Sequence, residues 1–356
     1  MEMGSYSSDP PKPWVETPLI YSAPLSIVAG CNIFLKLENT QPSGSFKSRG
    51  IGNMMSLALA QSNNPDKVHF YCSSGGNAGL ACATTAATLA RPATIVVPTS
   101  TSPFMMGKLR ELGAAVVQKG ASWAEADAYL RATFLQTEGE SGSGSVYVPP
   151  FDHPDVWAGA ATLMDEVAVE MARLGGSRKV LDAVVCNVGG GGLLNGIMEG
   201  LERRGKGMAR PGAGGVVRVL AVETVGADSL NASVRAGELV TLPGITSIAT
   251  SLGARRVSEK SWEWVQKAGP GLISSTVTDR EAAVGCVRFL DDARILIEAS
   301  CGATLATLYN GDLRRYLGDG LTDAEWAERN VVVVVCGGSN ISWEILEEYK
   351  KTFGIE

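Results

Sequence analysis

Short apolar runs separated by stretches of helical period fill most of the chain. Ile33 to Leu37, Val68 to Tyr71, Thr94 to Val97, Ala114 to Gln118, Leu181 to Cys186, Val216 to Val222 and the all-valine run Val331 to Val335 each have the length of a strand. A run without polar alternation suits a strand buried on both faces. Between these runs apolar positions return every three or four residues. Ile51, Met54, Met55, Ala58 and Leu59 predict a helix that begins at Lys47. Further helices are expected over 79–90, through Leu109, over 123–135, over 155–174, from Leu193, over 280–290 and over 302–317. Strand and helix in alternation predict an α/β fold with mainly parallel, twisted sheets flanked by crossover helices. The alternation from residue 44 to 149 reads as a smaller domain. Ser141 to Ser145 is a surface loop by composition, and Pro149-Pro150 marks the passage to the next set. Residues 1–16 read as a flexible arm, with Trp14 as the anchor where order begins.

Composition narrows the function. Hydrophobic residues at 45% and charged residues at 19% describe an ordinary globular chain once the 42 glycines are assigned to loops and close packing. A net charge of −6 with no clustered basic face argues against nucleic acid as a partner. It does not argue against an anionic cofactor, because a few backbone amides can hold a phosphate. The seven cysteines include no CxxC pair and no companion histidines, so a zinc site is not expected, and they read as reduced core residues. Met1 to Pro13 lack the apolar centre of a signal peptide, and no apolar run approaches the roughly 18 residues of a membrane span. The expectation is a cytoplasmic protein with no membrane partner.

Three stretches carry candidate chemistry. Pro42-Ser43-Gly44-Ser45-Phe46-Lys47-Ser48-Arg49-Gly50 sets one lysine in a turn of small residues at a helix start. Such a lysine becomes a nucleophile toward carbonyls when desolvation or a nearby cation, here Arg49, lowers its pKa. The plain alternative is a solvated lysine. Cys72-Ser73-Ser74-Gly75-Gly76-Asn77-Ala78-Gly79 and Val188-Gly189-Gly190-Gly191-Gly192-Leu193 each follow a strand and open a helix. Four successive glycines at a helix start make a phosphate cup by geometry, against the alternative of a turn for close packing. Dinucleotide binding fails, because GxGxxG needs glycine where Leu194 or Asn195 stands.

Together these stretches resemble the fold-type II pyridoxal-phosphate enzymes, and most of all the animal-liver L-serine dehydratases and L-threonine deaminases. The likeness runs from Thr17-Pro18-Leu19 through Phe34 to Asn39 and Pro149 to Pro154 to Val335-Cys336-Gly337-Gly338. It implies a tryptophan synthase β-like architecture in which the first strand joins the later set. Residues 17–43 and 150–356 then form the large cofactor-binding domain and 44–149 the small substrate-side domain. It implies that Lys47 carries pyridoxal 5'-phosphate and takes the substrate's α proton, while the cofactor phosphate serves as the acid for the leaving hydroxyl. Phe46, Asn77, Gly189, Gly190, Gly191, Gly192, Leu193, Cys336 and Gly337 would bind the cofactor. Cys336 would face its ring nitrogen, with a small buried core residue as the alternative. Ser74, Gly75 and Asn77 would bind the substrate carboxylate. Glu223, Ala227 and Ser229 match a monovalent-cation loop, for an ion such as K⁺. The acid Glu223 could equally be a solvated loop charge. Ser300 stands where the family usually has proline. Dehydration of L-serine and L-threonine by a homodimer is the implied function. Alternatives are β-replacement or β-elimination on another amino acid, and a catalytically silent amino-acid or cofactor-binding protein.

Overall fold

The computed structural model describes residues 12–135, 144–210 and 216–356. Most of the expected N-terminal arm and of the Ser141 to Ser145 loop lies outside the described residues. Within them Trp14 is buried, its indole against Gly52.

The strands divide between two sheets. In chain order, β1 (Leu19–Tyr21) and β2 (Asn32–Leu37) begin the larger sheet. The smaller sheet takes β3 (His69–Cys72), β4 (Ala93–Val97), β5 (Ala115–Gln118) and β6 (Ser145–Tyr147). The chain then returns to the larger sheet with β7 (Ala183–Asn187), β8 (Arg218–Thr224), β9 (Leu272–Val277) and β10 (Asn330–Val335). The larger sheet has the order β1-β2-β10-β7-β8-β9 and is parallel except for β1; the smaller, β5-β4-β3-β6, is parallel throughout. The first apolar run therefore pairs with the all-valine run, from Asn32 opposite Asn330 to Leu37 opposite Val335. Every residue of β7 and β10 is buried, as the unbroken apolar runs require. The sequence pattern misses β9, whose Ser274, Ser275 and Thr276 dilute its apolar signal. The helix expected over 302–317 is two helices, Ala299–Tyr309 and Asp312–Leu317, separated at Gly311 with φ 87°.

Each sheet has its own apolar core. Val185, Leu220 and Val333 meet Leu194 and Ile197 of the helix Gly192–Met208 on the larger sheet. Ile51 and Met55 of the helix Lys47–Gln61 pack with Leu80 of the helix Asn77–Thr88 on the smaller. The lysine helix also crosses the helix Pro154–Leu174. A Cβ on Gly50 would lie 2.6 Å from the Val156 carbonyl oxygen, and one on Gly159 2.5 Å from that of Arg49. Only glycine permits that approach, so the start of the lysine helix is pinned between both parts of the structure.

Candidate active site

The lysine turn is stitched to the loop that follows β10. The Phe46 amide donates to the Cys336 carbonyl at 3.0 Å and the Gly338 amide to that of Gly44 at 2.9 Å. Gly44 and Gly337 take φ of 78° and 81°, and a Cβ on Gly337 would stand 2.2 Å from the Gly44 oxygen. Two stretches far apart in sequence are thereby fixed side by side. Lys47 is the first helical residue, after Phe46 at the N-cap. Its Nζ donates to the Pro150 carbonyl at 2.5 Å and lies 5.2 and 5.9 Å from the ring centroids of Phe46 and Phe151. Burial lowers the amine to about 8, against the opposing charge of Glu298. Arg49 plays no part in this, contrary to the sequence expectation. Its guanidinium turns away and pairs with Glu38 and Glu166 at 2.7 and 2.5 Å.

The glycine loop runs from the end of β7 into the helix Gly192–Met208. Among the described residues, the amides of Gly190, Gly191, Gly192 and Leu193 find no protein acceptor, while the Asn195 amide already bonds the Gly191 carbonyl. Orphan donors at a helix start suit an anion. The side-chain space beside the loop is filled by protein. A Cβ on Gly190 would meet the Phe151 ring at 2.3 Å, and one on Gly191, at φ 99°, the Ser261 hydroxyl at 2.0 Å. Ser258 and Ser261 are both buried and bonded to Asn195, and the Ser258 amide donates to the Gly190 carbonyl at 3.1 Å. Packing and anion binding thus each require glycine here.

Asn77 is the first residue of the helix Asn77–Thr88. Its Nδ2 donates to Glu298 Oε1 at 2.9 Å and, at 3.4 Å, to the Ser251 hydroxyl, while Oδ1 accepts the Ser339 amide at 2.9 Å. Ser74 and Gly75 are half-buried in the turn before it, with the Ser74 hydroxyl accepting the Gly76 amide. Cys336 is buried at the end of β10, and its Sγ accepts the Asn187 side-chain amide at 3.0 Å. The neighbouring Cys301 thiol and burial push the Cys336 thiol well above the usual range. It is therefore a neutral S–H at physiological pH.

Glu223 is fully buried near the end of β8, where its carboxylate accepts the amides of Leu230 and Asn231 at 2.9 and 2.7 Å. The solvated-charge alternative does not hold. Burial raises its pKa to about 8 despite those bonds. Ala227, also buried, lies in the turn that follows, and Ser229, buried too, is the first residue of the helix Ser229–Ala236. A cavity of about 450 Å³ opens at the other end of the larger sheet, lined by Asp182, Arg210 and Arg218 among others, and touches none of these residues.

The family model for "Pyridoxal-phosphate dependent enzyme" matches residues 12–337. The chain belongs to that family. A serine dehydratase-like protein of Rattus norvegicus is 44% identical over 94% of this chain and 93% of its own. An L-serine dehydratase/L-threonine deaminase of Bos taurus is 40% identical over 96% of each. The crystal structure of a fungal L-serine ammonia-lyase from Rhizomucor miehei superposes with a TM-score of 0.83 at 35% identity, covering 96% of this chain and 99% of that one. The residues of this pyridoxal-phosphate-dependent enzyme suit the cofactor: orphan amides for a phosphate, a desolvated amine for a carbonyl and a neutral thiol at the strand end. The sequence reading missed four contributors. Pro150 reads in the sequence as a boundary and Phe151 only as part of a resemblance, although an aromatic after two prolines is a visible signal. Glu298, two residues before Ser300, carries no signal of burial in the sequence. Asn187, a polar residue closing an apolar strand, offered the clearest hint.

Proposed function

We propose that this enzyme removes water and ammonia from L-serine, and likewise from L-threonine, to give pyruvate or 2-oxobutanoate. The observation that carries this reading is the half-buried Lys47, its amine lowered to about 8 by desolvation, in a chain so similar along its length to serine dehydratases. Bound pyridoxal phosphate supplies a carbonyl that links to amines and a ring that accepts electrons. The amides of Gly189 to Leu193 would hold its phosphate, Phe46, Asn77, Cys336 and Gly337 would hold its ring, and Ser74, Gly75 and Asn77 would bind the substrate carboxylate. Asn77 reaches a ligand by exchanging its long contact to Ser251. Lys47 takes the α proton. A lowered pKa keeps a useful fraction of the amine neutral near physiological pH, and the Pro150 carbonyl holds Nζ within the site. Cys336 keeps its proton, so no anion faces the ring nitrogen.

In this reading residues 44–149 act as a small domain that clamps substrate against the large domain of 17–43 and 150–356. Support comes from Ser339, whose amide is held by Asn77 and whose carbonyl accepts Lys108 Nζ at 3.0 Å, both from the smaller-sheet side. A monovalent cation such as K⁺ at Glu223, Ala227 and Ser229 would offset the buried carboxylate. The working form is proposed to be a cytoplasmic homodimer; seven buried cysteines without a disulfide suit a reducing compartment. Keto-acid and ammonia release, measured across serine, threonine, cysteine and O-acetylserine in both enantiomers, tests the assignment. L-serine and L-threonine should give equal amounts of both products. Release from O-acetylserine or cysteine alone would overturn it.

A further inference from the structure

We propose that Asn187 is a positioning residue that sets the direction of the Cys336 thiol proton, leaving the S–H free to point into the cofactor site. The amide orientation is fixed by an independent contact. Asn187 Nδ2 donates at 2.7 Å to the backbone carbonyl of Ser300, an oxygen that can only accept. The second hydrogen of the same nitrogen faces Cys336 Sγ at 3.0 Å, so the sulfur is the acceptor in that pair. A thiol that accepts on one side must send its own hydrogen elsewhere. Among the described residues it has the Gly337 carbonyl at 3.6 Å and the neighbouring Cys301 thiol, both weak partners that a ring nitrogen can replace. Asn187 is itself 5% exposed and lies at the last position of β7, beside β10. Without the donor to sulfur, the thiol would be free to turn its hydrogen away from the site. Ser300 contributes only its backbone to this arrangement, and its hydroxyl donates to Glu298. The role of Asn187 therefore survives the departure from the family's usual proline.

The inference rests on the reading of Cys336 as the partner of the ring nitrogen, and a double-mutant cycle separates the two. The cofactor dissociation constant is measured by equilibrium dialysis of purified holoenzyme for the native protein, Asn187→Leu, Cys336→Ala and the double variant. Asn187→Asp, near the native volume, repeats the cycle in case the leucine variant does not fold. Each single change should weaken cofactor retention about tenfold, the scale of one net hydrogen bond. With Cys336→Ala already present, the Asn187 change should add less than about twofold. An undiminished loss in the alanine background would make Asn187 a general packing residue and overturn the inference. If Cys336→Ala alone leaves retention and the visible absorption of the cofactor unchanged, the reading of Cys336 fails first, and the inference with it.

Discussion

Lys47, half-buried, and Glu223, fully buried, are two desolvated ionisable groups whose pKa values both move to about 8, from opposite directions and with different consequences. For Lys47 desolvation favours the neutral amine. Lys47→Ala should abolish the visible absorption of the bound cofactor and cut L-serine turnover by at least about 10²–10⁴-fold, the scale of a lost general base. For Glu223 desolvation favours the protonated acid. A folded-state pKa raised from 4.5 to about 8 means that stability present at low pH is lost as pH rises through that window. Thermal melts of the native protein should fall over this range in tetramethylammonium buffer and less in K⁺ buffer, and Glu223→Gln should remove the difference. Equal slopes in both buffers would leave the cation without a role. The lysine was legible in the sequence because its turn is built of small residues and opens a helical period. The cause of its shifted pKa was not, since sequence neighbourhood suggested Arg49 and only packing shows that guanidinium turned toward Glu38 and Glu166.

Among the elements, the glycine loop between β7 and the helix Gly192–Met208 is the most demanding. The four glycines signal an anion cup in the sequence, yet the Phe151 ring and the Ser261 hydroxyl that close on them come from distant segments. Gly191→Ala should therefore lower the melting temperature even when cofactor is saturating. A residue forced to φ 99° with its Cβ 2.0 Å from a hydroxyl costs about 2 kcal/mol or more. Loss of cofactor affinity with an unchanged melt would show that the loop packs more loosely than described. Central strands β7 and β10 were legible as unbroken apolar runs. The edge strand β9 was not, because hydroxyl side chains at three of its six positions erase the pattern.

Across the whole molecule, the lysine helix joins two cores, and its buried charges bind them. Arg49, fully buried, ties Glu38 at the end of β2 to Glu166 on the helix Pro154–Leu174, while Lys36 reaches Glu166 and Glu170. Arg49→Met leaves these carboxylates in the interior with one partner fewer and should cost about 3–5 kcal/mol in urea unfolding. A loss below about 1 kcal/mol would mean that water reaches the network. The division into two sheets was legible from the alternation of runs. That the first strand joins the later set came from resemblance alone, and its pairing with β10 was not legible, since nothing local to either strand names its partner. The account as a whole stands on one lysine. Purified holoenzyme that releases pyruvate from L-serine can be reduced with borohydride, digested and mapped by mass spectrometry. The pyridoxyl mass should fall on the peptide containing Lys47 and on no other; a label on a different lysine, in protein that still turns over L-serine, would contradict it.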